Sequence, residues 1–368
     1  MIYLLCFGVS ILFATQANRA RNRQTFLFFS VLSIAVTVAL AGLRDYSIGI
    51  DTKNYLRIYW QPAVSFSSIG EYFKYYFVRG YSEPLFALLV SVIAQLFGEY
   101  RVFLFAVHTI IIGCVYVGAF RMKAHANPVF TLLVFYLLYY SQSLNISRQY
   151  MAMAIIFAAA ADIEKGKYLR YLFFVVIAAL LHNTGIFGVM PMVIYRVIYT
   201  QREQKNVSLA RRFVICTLLV GGVYLFVPMA QLLIRNGLLS RRYLFYMNEE
   251  GTSNYLLTLL FLLVEAVGLV LFWKSFKKNN LHADFYIFCS LAFFLLTVMA
   301  SSLQYGKRIA SYFSILNIIS LGMLVECQKK KRNREILGAV IILVVFIYWL
   351  YVFVYRNASQ TMPYILGV

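Results

Sequence analysis

The chain carries little charge and very little acid. Of 368 residues, 14 are Asp or Glu and 34 are Lys or Arg, so charged residues make up 13%. An average soluble domain has about 25%. Prolines number 6, and no polar stretch is long enough to fold by itself. A soluble domain of ordinary size is thereby excluded. The five cysteines (Cys6, Cys114, Cys216, Cys289 and Cys327) stand singly in or beside apolar stretches, with no CxxC and no Cys/His spacing. That pattern argues against a redox pair or a metal centre and reads as small core residues. Internal repeats and low-complexity tracts are also lacking.

What is present is apolar. Hydrophobic residues make up 62% of the chain and mean hydropathy is +0.73. Apolar segments run over 2–16, 25–43, 84–98, 102–120, 128–146, 149–162, 168–182, 185–200, 213–234, 255–273, 284–303, 309–325 and 336–355. A span needs about 20 such residues, so the expected fold is an all-α, polytopic membrane helix bundle of about 11–14 spans. Residues 1–368 form one integral membrane domain. Met1–Thr15 has no basic n-region and no small-residue cleavage site, so it reads as a retained span rather than a signal peptide.

A net charge of +20 could indicate nucleic acid, but the distribution argues otherwise. The basic residues gather in short connectors: Arg19–Arg23, Arg121–Lys123, Lys165–Arg170, Arg202–Arg212, Lys274–Lys278 and Lys329–Arg334. This is the positive-inside pattern, which sets orientation. Placing those connectors inside puts the 44–82 loop, Ser147–Gln149, His182–Asn183, the 235–254 loop and Gln304–Arg308 outside. Between residues 83 and 121 the count conflicts, because two full spans there carry Arg121–Lys123 to the wrong side. Either one of the pair does not cross fully or an inner connector is misread. The stretch 84–98 is short for a span and is the candidate for a re-entrant or interfacial element, which is tolerated at membrane depth only under protein or a water-filled cavity. Within the outer loop, Ile69–Val78 mixes aromatics with a few charges. It reads as an interfacial amphipathic helix or an aromatic belt.

Four polar sites on the predicted outer face are left unexplained by topology. Five ionisable groups (Arg44, Asp45, Asp51, Lys53 and Tyr55) emerge directly from an apolar span, with Glu83 following in Tyr-Ser-Glu-Pro. Asn145-Ile-Ser-Arg-Gln149 opens a segment of small residues. His182-Asn-Thr184 joins two apolar stretches, and Tyr305-Gly-Lys-Arg308 is followed by Tyr312. Carboxylates act as general bases toward hydroxyls, and Arg forks bind phosphate oxygens in pairs. Asp, Glu, His and several Arg at one membrane face suit a lipid-linked phosphate donor meeting a hydroxyl acceptor.

The run Leu43-Arg-Asp-Tyr-Ser-Ile-Gly-Ile-Asp-Thr-Lys-Asn-Tyr55 resembles the R…GxDxxxY signature of the EpsG family. Glu83-Pro-Leu-Phe86, Ser147-Arg-Gln149 and His182-Asn-Thr-Gly185 follow in the same order. The family often has Thr where this chain has Ile50. The resemblance spans nearly the whole chain and implies a Wzy-like polymerase of exopolysaccharide or O-antigen synthesis, related to the GT-C glycosyltransferases. Such an enzyme joins undecaprenyl-diphosphate-linked repeat units on the outer face of the bacterial cytoplasmic membrane. It implies Asp51 as the catalytic acidic residue, with Asp45 and Glu83 next. The expected catalytic set is Asp51, Glu83 and His182. The expected substrate contacts are Arg44, Tyr55, Arg148, Gln149, Arg308 and Tyr312. No metal and no cofactor is expected. Expected partners are polyprenyl-diphosphate-linked oligosaccharide, membrane lipids, and a flippase and chain-length regulator of the same pathway. Two other classes fit less well. A flippase would place ionisable residues near the midplane, where Glu265 is the clearest example. A membrane acyltransferase using His182 would want that His supported by other polar groups.

Overall fold

A computed structural model describes residues 1–199, 255–279, 282–299 and 304–367, with a few isolated positions between 221 and 236. The predicted segment 213–234, the 235–254 loop and Cys216 lie essentially outside the described residues. The described chain is helical, and its sole β feature is an isolated bridge between Arg44 and Leu366.

Helices α1 (Ile2–Arg19) and α2 (Arg23–Gly42) pair as an antiparallel hairpin, and Asn22 caps α2 by accepting from the Thr25 N–H at 2.7 Å. Ser10 Oγ donates to the Ser33 carbonyl at 2.8 Å and Ser33 Oγ to the Ser10 carbonyl at 2.9 Å. Small hydroxyl residues at such crossings let two apolar helices approach while satisfying polar atoms in hydrocarbon. Short helices α3 (Ile50–Tyr55), α4 (Gln61–Ser65) and α5 (Ile69–Val78) fill the loop that follows, with a π turn between the first two.

Next come α6 (Pro84–Phe97) and α7 (Tyr100–Arg121), then α8 (Pro128–Phe135), which runs through a π turn into α9 (Ser141–Asn145). Helix α10 (Ser147–Glu164) lies at the centre, and most of its side chains are buried. Its Ala-rich sequence permits close packing: Gly118 of α7 faces the Phe157 ring so tightly that a methyl group there would collide with it. Helix α11 (Tyr168–Leu181), a 3-10 turn at Asn183–Gly188 and α12 (Val189–Ile198) follow. Beyond the undescribed stretch come α13 (Tyr255–Leu271), α14 (Trp273–Asn279), α15 (Ala283–Met299), α16 (Gln304–Glu326) and α17 (Lys331–Trp349). Five segments among the described residues are long and apolar enough to cross a membrane: Ile2–Arg19, Arg23–Gly42, Tyr100–Arg121, Arg308–Glu326 and Lys331–Tyr355.

The conflict between residues 83 and 121 is resolved by α6. Its first end is set by Glu83, bonded to Arg148 and His182. Its other end turns at Gly98, in the left-handed region (φ 66°), into α7. Tyr100, the first residue of α7, donates from its hydroxyl to the Thr52 carbonyl at 2.9 Å. Both ends of α6 therefore lie at the end of the bundle that carries the 44–83 loop. Fourteen residues also reach only about 21 Å at 1.5 Å each, short of a bilayer core of about 30 Å. With α6 uncounted as a crossing, Arg121 arrives at the opposite end. There Arg121 Nη2 meets Asp162 at 2.6 Å and His125 meets Glu164 at 2.7 Å. Arg121, read in the sequence as an orientation signal, is also part of this ionic lock.

The C-terminal segment 357–367 returns across the loop end as a strap. The Asp45 N–H donates to the Ile365 carbonyl, Gly49 N–H to the Gln360 carbonyl and Gly367 N–H to the Leu43 carbonyl, at 2.9, 2.9 and 2.8 Å. Asn357 folds the strap on itself, its Oδ1 accepting from the Thr361 and Met362 N–H groups. The Tyr3 hydroxyl fastens it to α1 through the Thr361 carbonyl at 2.9 Å.

Candidate active site

Glu83 is the hub of the loop end. Pro84 starts α6 immediately after it, so Glu83 occupies the cap position and its side chain turns into the bundle, 5% exposed. One carboxylate oxygen, Oε2, accepts from Arg148 Nη1 at 2.9 Å and from the Tyr76 hydroxyl at 3.1 Å. The other, Oε1, lies 3.1 Å from His182 Nδ1. The Arg148 guanidinium in turn sits over the rings of Tyr55, Tyr59 and Phe86, 5.4, 4.9 and 5.2 Å from their centroids. Cation–π contacts of this kind help compensate a partly desolvated charge.

Burial alone would raise the Glu83 carboxyl, but Arg148, His182 and the Tyr76 hydroxyl overcome it and hold it down to about 2. A carboxylate so stabilised is a poor proton acceptor. For His182 burial dominates and lowers its pKa from the usual value, so the ring is neutral at pH 7. Against an acceptor-only carboxylate, the neutral ring must carry its proton on Nδ1. That leaves Nε2 a lone pair, suited to a hydroxyl rather than to a phosphate oxygen. Sequence reasoning found no polar support for His182; Glu83 supplies it.

Asp51 is set differently. It begins α3, half-buried, and its carboxylate has the Tyr55 hydroxyl at 3.4 Å. Burial raises its pKa above the ordinary value, opposed by the charges of Arg148 and Arg308. Two carboxylates whose environments push them in opposite directions are the usual mark of divided roles.

The remaining predicted residues take their places around this pair. Arg44, expected among the substrate contacts, is fully buried. It donates to the Ala41 carbonyl, to the Leu144 carbonyl at 3.2 Å and to Thr52 Oγ1 at 3.5 Å. A charge this deep is tolerable only with hydrogen bonds, and here it ties the end of α2 to the end of α9. Tyr312, also expected to touch substrate, is fully buried and pairs with Thr184 Oγ1 at 3.0 Å. The Tyr55 ring lies against Arg148. Gln149 is buried, its Nε2 donating to the Arg308 carbonyl at 3.3 Å. Arg308 is half-buried near the start of α16, and its charge acts on both Asp51 and His182. Asp45 is half-buried at the edge of the loop, bonded to Ser47. Sequence reasoning missed Tyr76 and Tyr59, which had no motif to mark them, and gave Asn145 no role within a motif it did quote.

The described residues hold no group of three or more His, Cys, Asp or Glu placed to bind a metal. Glu265, deep in α13, accepts from Asn317 Nδ2 at 3.3 Å, and Asn317 Oδ1 accepts from Ser290 Oγ at 2.7 Å.

A helical bundle with membrane-length apolar segments and an ionic cluster gathered at one end defines a multi-pass membrane protein with a polar site at the mouth of its helices. The chain belongs to the EpsG family, whose model matches residues 26–366. That membership points to a membrane protein of polysaccharide synthesis, a glycosyltransferase-like polymerase in general terms. Searches of curated proteins and of solved structures return no match.

Proposed function

We propose that the protein is a Wzy-like polymerase that joins polyprenyl-diphosphate-linked oligosaccharides, undecaprenyl being the expected lipid, on the outer face of the cytoplasmic membrane. The observation that carries this reading is the convergence of Glu83, Arg148, His182, Asp51 and Arg308 from separate stretches of the chain. In the reaction an acceptor hydroxyl attacks the anomeric carbon of the lipid-linked glycan. The C–O bond to the diphosphate breaks as the new glycosidic bond forms, and the hydroxyl proton goes to a base. Asp51 is that base, because it is the carboxylate less engaged by the protein. Glu83 orients His182, whose Nε2 accepts from the acceptor sugar. The lipid diphosphate is already a good leaving group, so Arg308 and Arg148 serve by positioning it and balancing its charge.

Loss of a general base costs about 10²–10⁴-fold in rate. Asp51→Asn, expressed in a strain deleted for this gene, should therefore insert normally and yield only single repeat units on a glycan gel. A full polymer ladder would sink the assignment. A membrane acyltransferase is the second reading, favoured by the Glu83–His182 pair. It predicts loss of an acyl group from the glycan with chain length unchanged.

A further inference from the structure

We propose, resting on the reading of Asp51 as the base, that Asn145 is a positioning residue that sets Asp51 against Arg148. Asn145 closes α9, and Ile146 breaks the helix (φ −89°, ψ 54°) before α10 begins. At that break Asn145 Oδ1 accepts the Asp51 backbone N–H at 2.8 Å. The first N–H groups of a helix have no partner within it, so α3 takes its cap from a residue 94 positions away.

The neighbouring Leu144 carbonyl accepts from Arg44 at 3.2 Å and lies 3.4 Å from Thr52 Oγ1, one residue beyond Asp51. On the other side Gly49, at φ +86°, comes so close that a Cβ there would be 2.9 Å from the Leu144 carbonyl oxygen. The strap holds the Gly49 N–H from behind, through the Gln360 carbonyl at 2.9 Å. Three residues after Asn145, Arg148 leaves the first turn of α10 to pair with Glu83. One short break in the helix therefore fixes both the base and the arginine that acts on it. Asn145 is neutral and half-buried, and its role runs through the Asp51 backbone.

The test uses full-length protein in nanodiscs, supplied with lipid-linked oligosaccharide extracted from the deletion strain. Asn145→Leu keeps the size and removes the acceptor. It should lower kcat by up to about 100-fold, the cost of a misplacement of about 1 Å, with KM unchanged. Asn145→Asp keeps an acceptor oxygen and should restore kcat at high pH. It also brings a second carboxylate near Asp51, where Arg148, Arg308, Tyr55 and Asn54 already act. Like charge favours the protonated form, so the acid limb of the pH–rate profile should move to higher pH. Wild-type kcat in Asn145→Leu overturns the proposal. So do equal losses in the two variants with the acid limb unmoved. Asp51→Asn, run alongside, separates the failures. If it is inactive while Asn145→Leu is fully active, only the positioning role falls. If it is itself fully active, the base assignment falls and takes this proposal with it.

Discussion

Glu83 shows how one functional group, a carboxylate, takes different work at neighbouring places. Both of its oxygens are engaged by the protein through a buried Arg, His and Tyr, whereas Asp51 has a long contact to Tyr55 and a side-chain bond to Asn54. The folded-state pKa of Glu83 lies below its ordinary 4.5, at about 2. Its contribution to stability is therefore complete above about pH 4.5 and is lost as pH falls toward 2. At 1.36 kcal/mol per unit this amounts to about 3 kcal/mol. Glu83→Gln should flatten this part of the acid branch of the thermal stability curve, measured on purified protein between about pH 6 and 3; an unchanged slope would mean the stability comes from elsewhere. Arg148→Ala should cost more at neutral pH, about 3–5 kcal/mol, because it strands a buried carboxylate. In the sequence Arg44 and Arg148 look alike, each an arginine at the predicted outer face. Only packing distinguishes them: Arg44 ends among carbonyls at full burial, Arg148 beside a carboxylate at the mouth of the site.

At the scale of elements, the 44–55 loop depends on a partner that no local pattern announces. Its backbone N–H groups at Asp45 and Gly49 donate to the strap, more than 300 residues later in the chain. Removing residues 357–368 leaves those donors unsatisfied and frees the loop behind Asp51. The expected outcome is normal membrane insertion, an unchanged mid-chain protease pattern and little or no polymer; polymer of normal length would show that the strap is dispensable. The helices themselves were largely legible, since apolar length placed α1, α2 and α7 within a few residues. Breaks were harder. The segment 128–146 reads as one apolar run and ends, as read, at the Ile146 break, yet it contains a π turn at Tyr136–Tyr140. Apolar residues run on from Pro128–Phe135 through Tyr136–Tyr140, so composition does not mark the π turn.

For the whole molecule, the decisive feature is that α6 begins and ends at the same end of the bundle. A labelling experiment checks it in a chain whose native cysteines are replaced. Ser82→Cys and Glu99→Cys, both exposed, should react with a membrane-impermeant maleimide on intact cells. Lys123→Cys, at the opposite end, should react only after permeabilisation. Opposite behaviour of residues 82 and 99 would make α6 a crossing and return the topological conflict. Agreement would also fix which face of the membrane the Glu83 cluster meets, the point on which the proposed reaction depends.

Membrane class, all-helical architecture and the segregation of basic connectors from the four polar sites are legible in the amino-acid sequence. These follow from transfer free energies and charges that sum along the chain, residue by residue. It also exposed the conflict at 83–121 without resolving it. Tertiary structure decided that α6 does not cross, that Arg44 is an internal tie and that Glu83 takes Arg148 and His182 as partners. Those partners lie 65 and 99 positions away. An ion pair forms only at contact distance, and which of several Arg, His and acidic residues come within it is set by how α6, α10 and α11 pack.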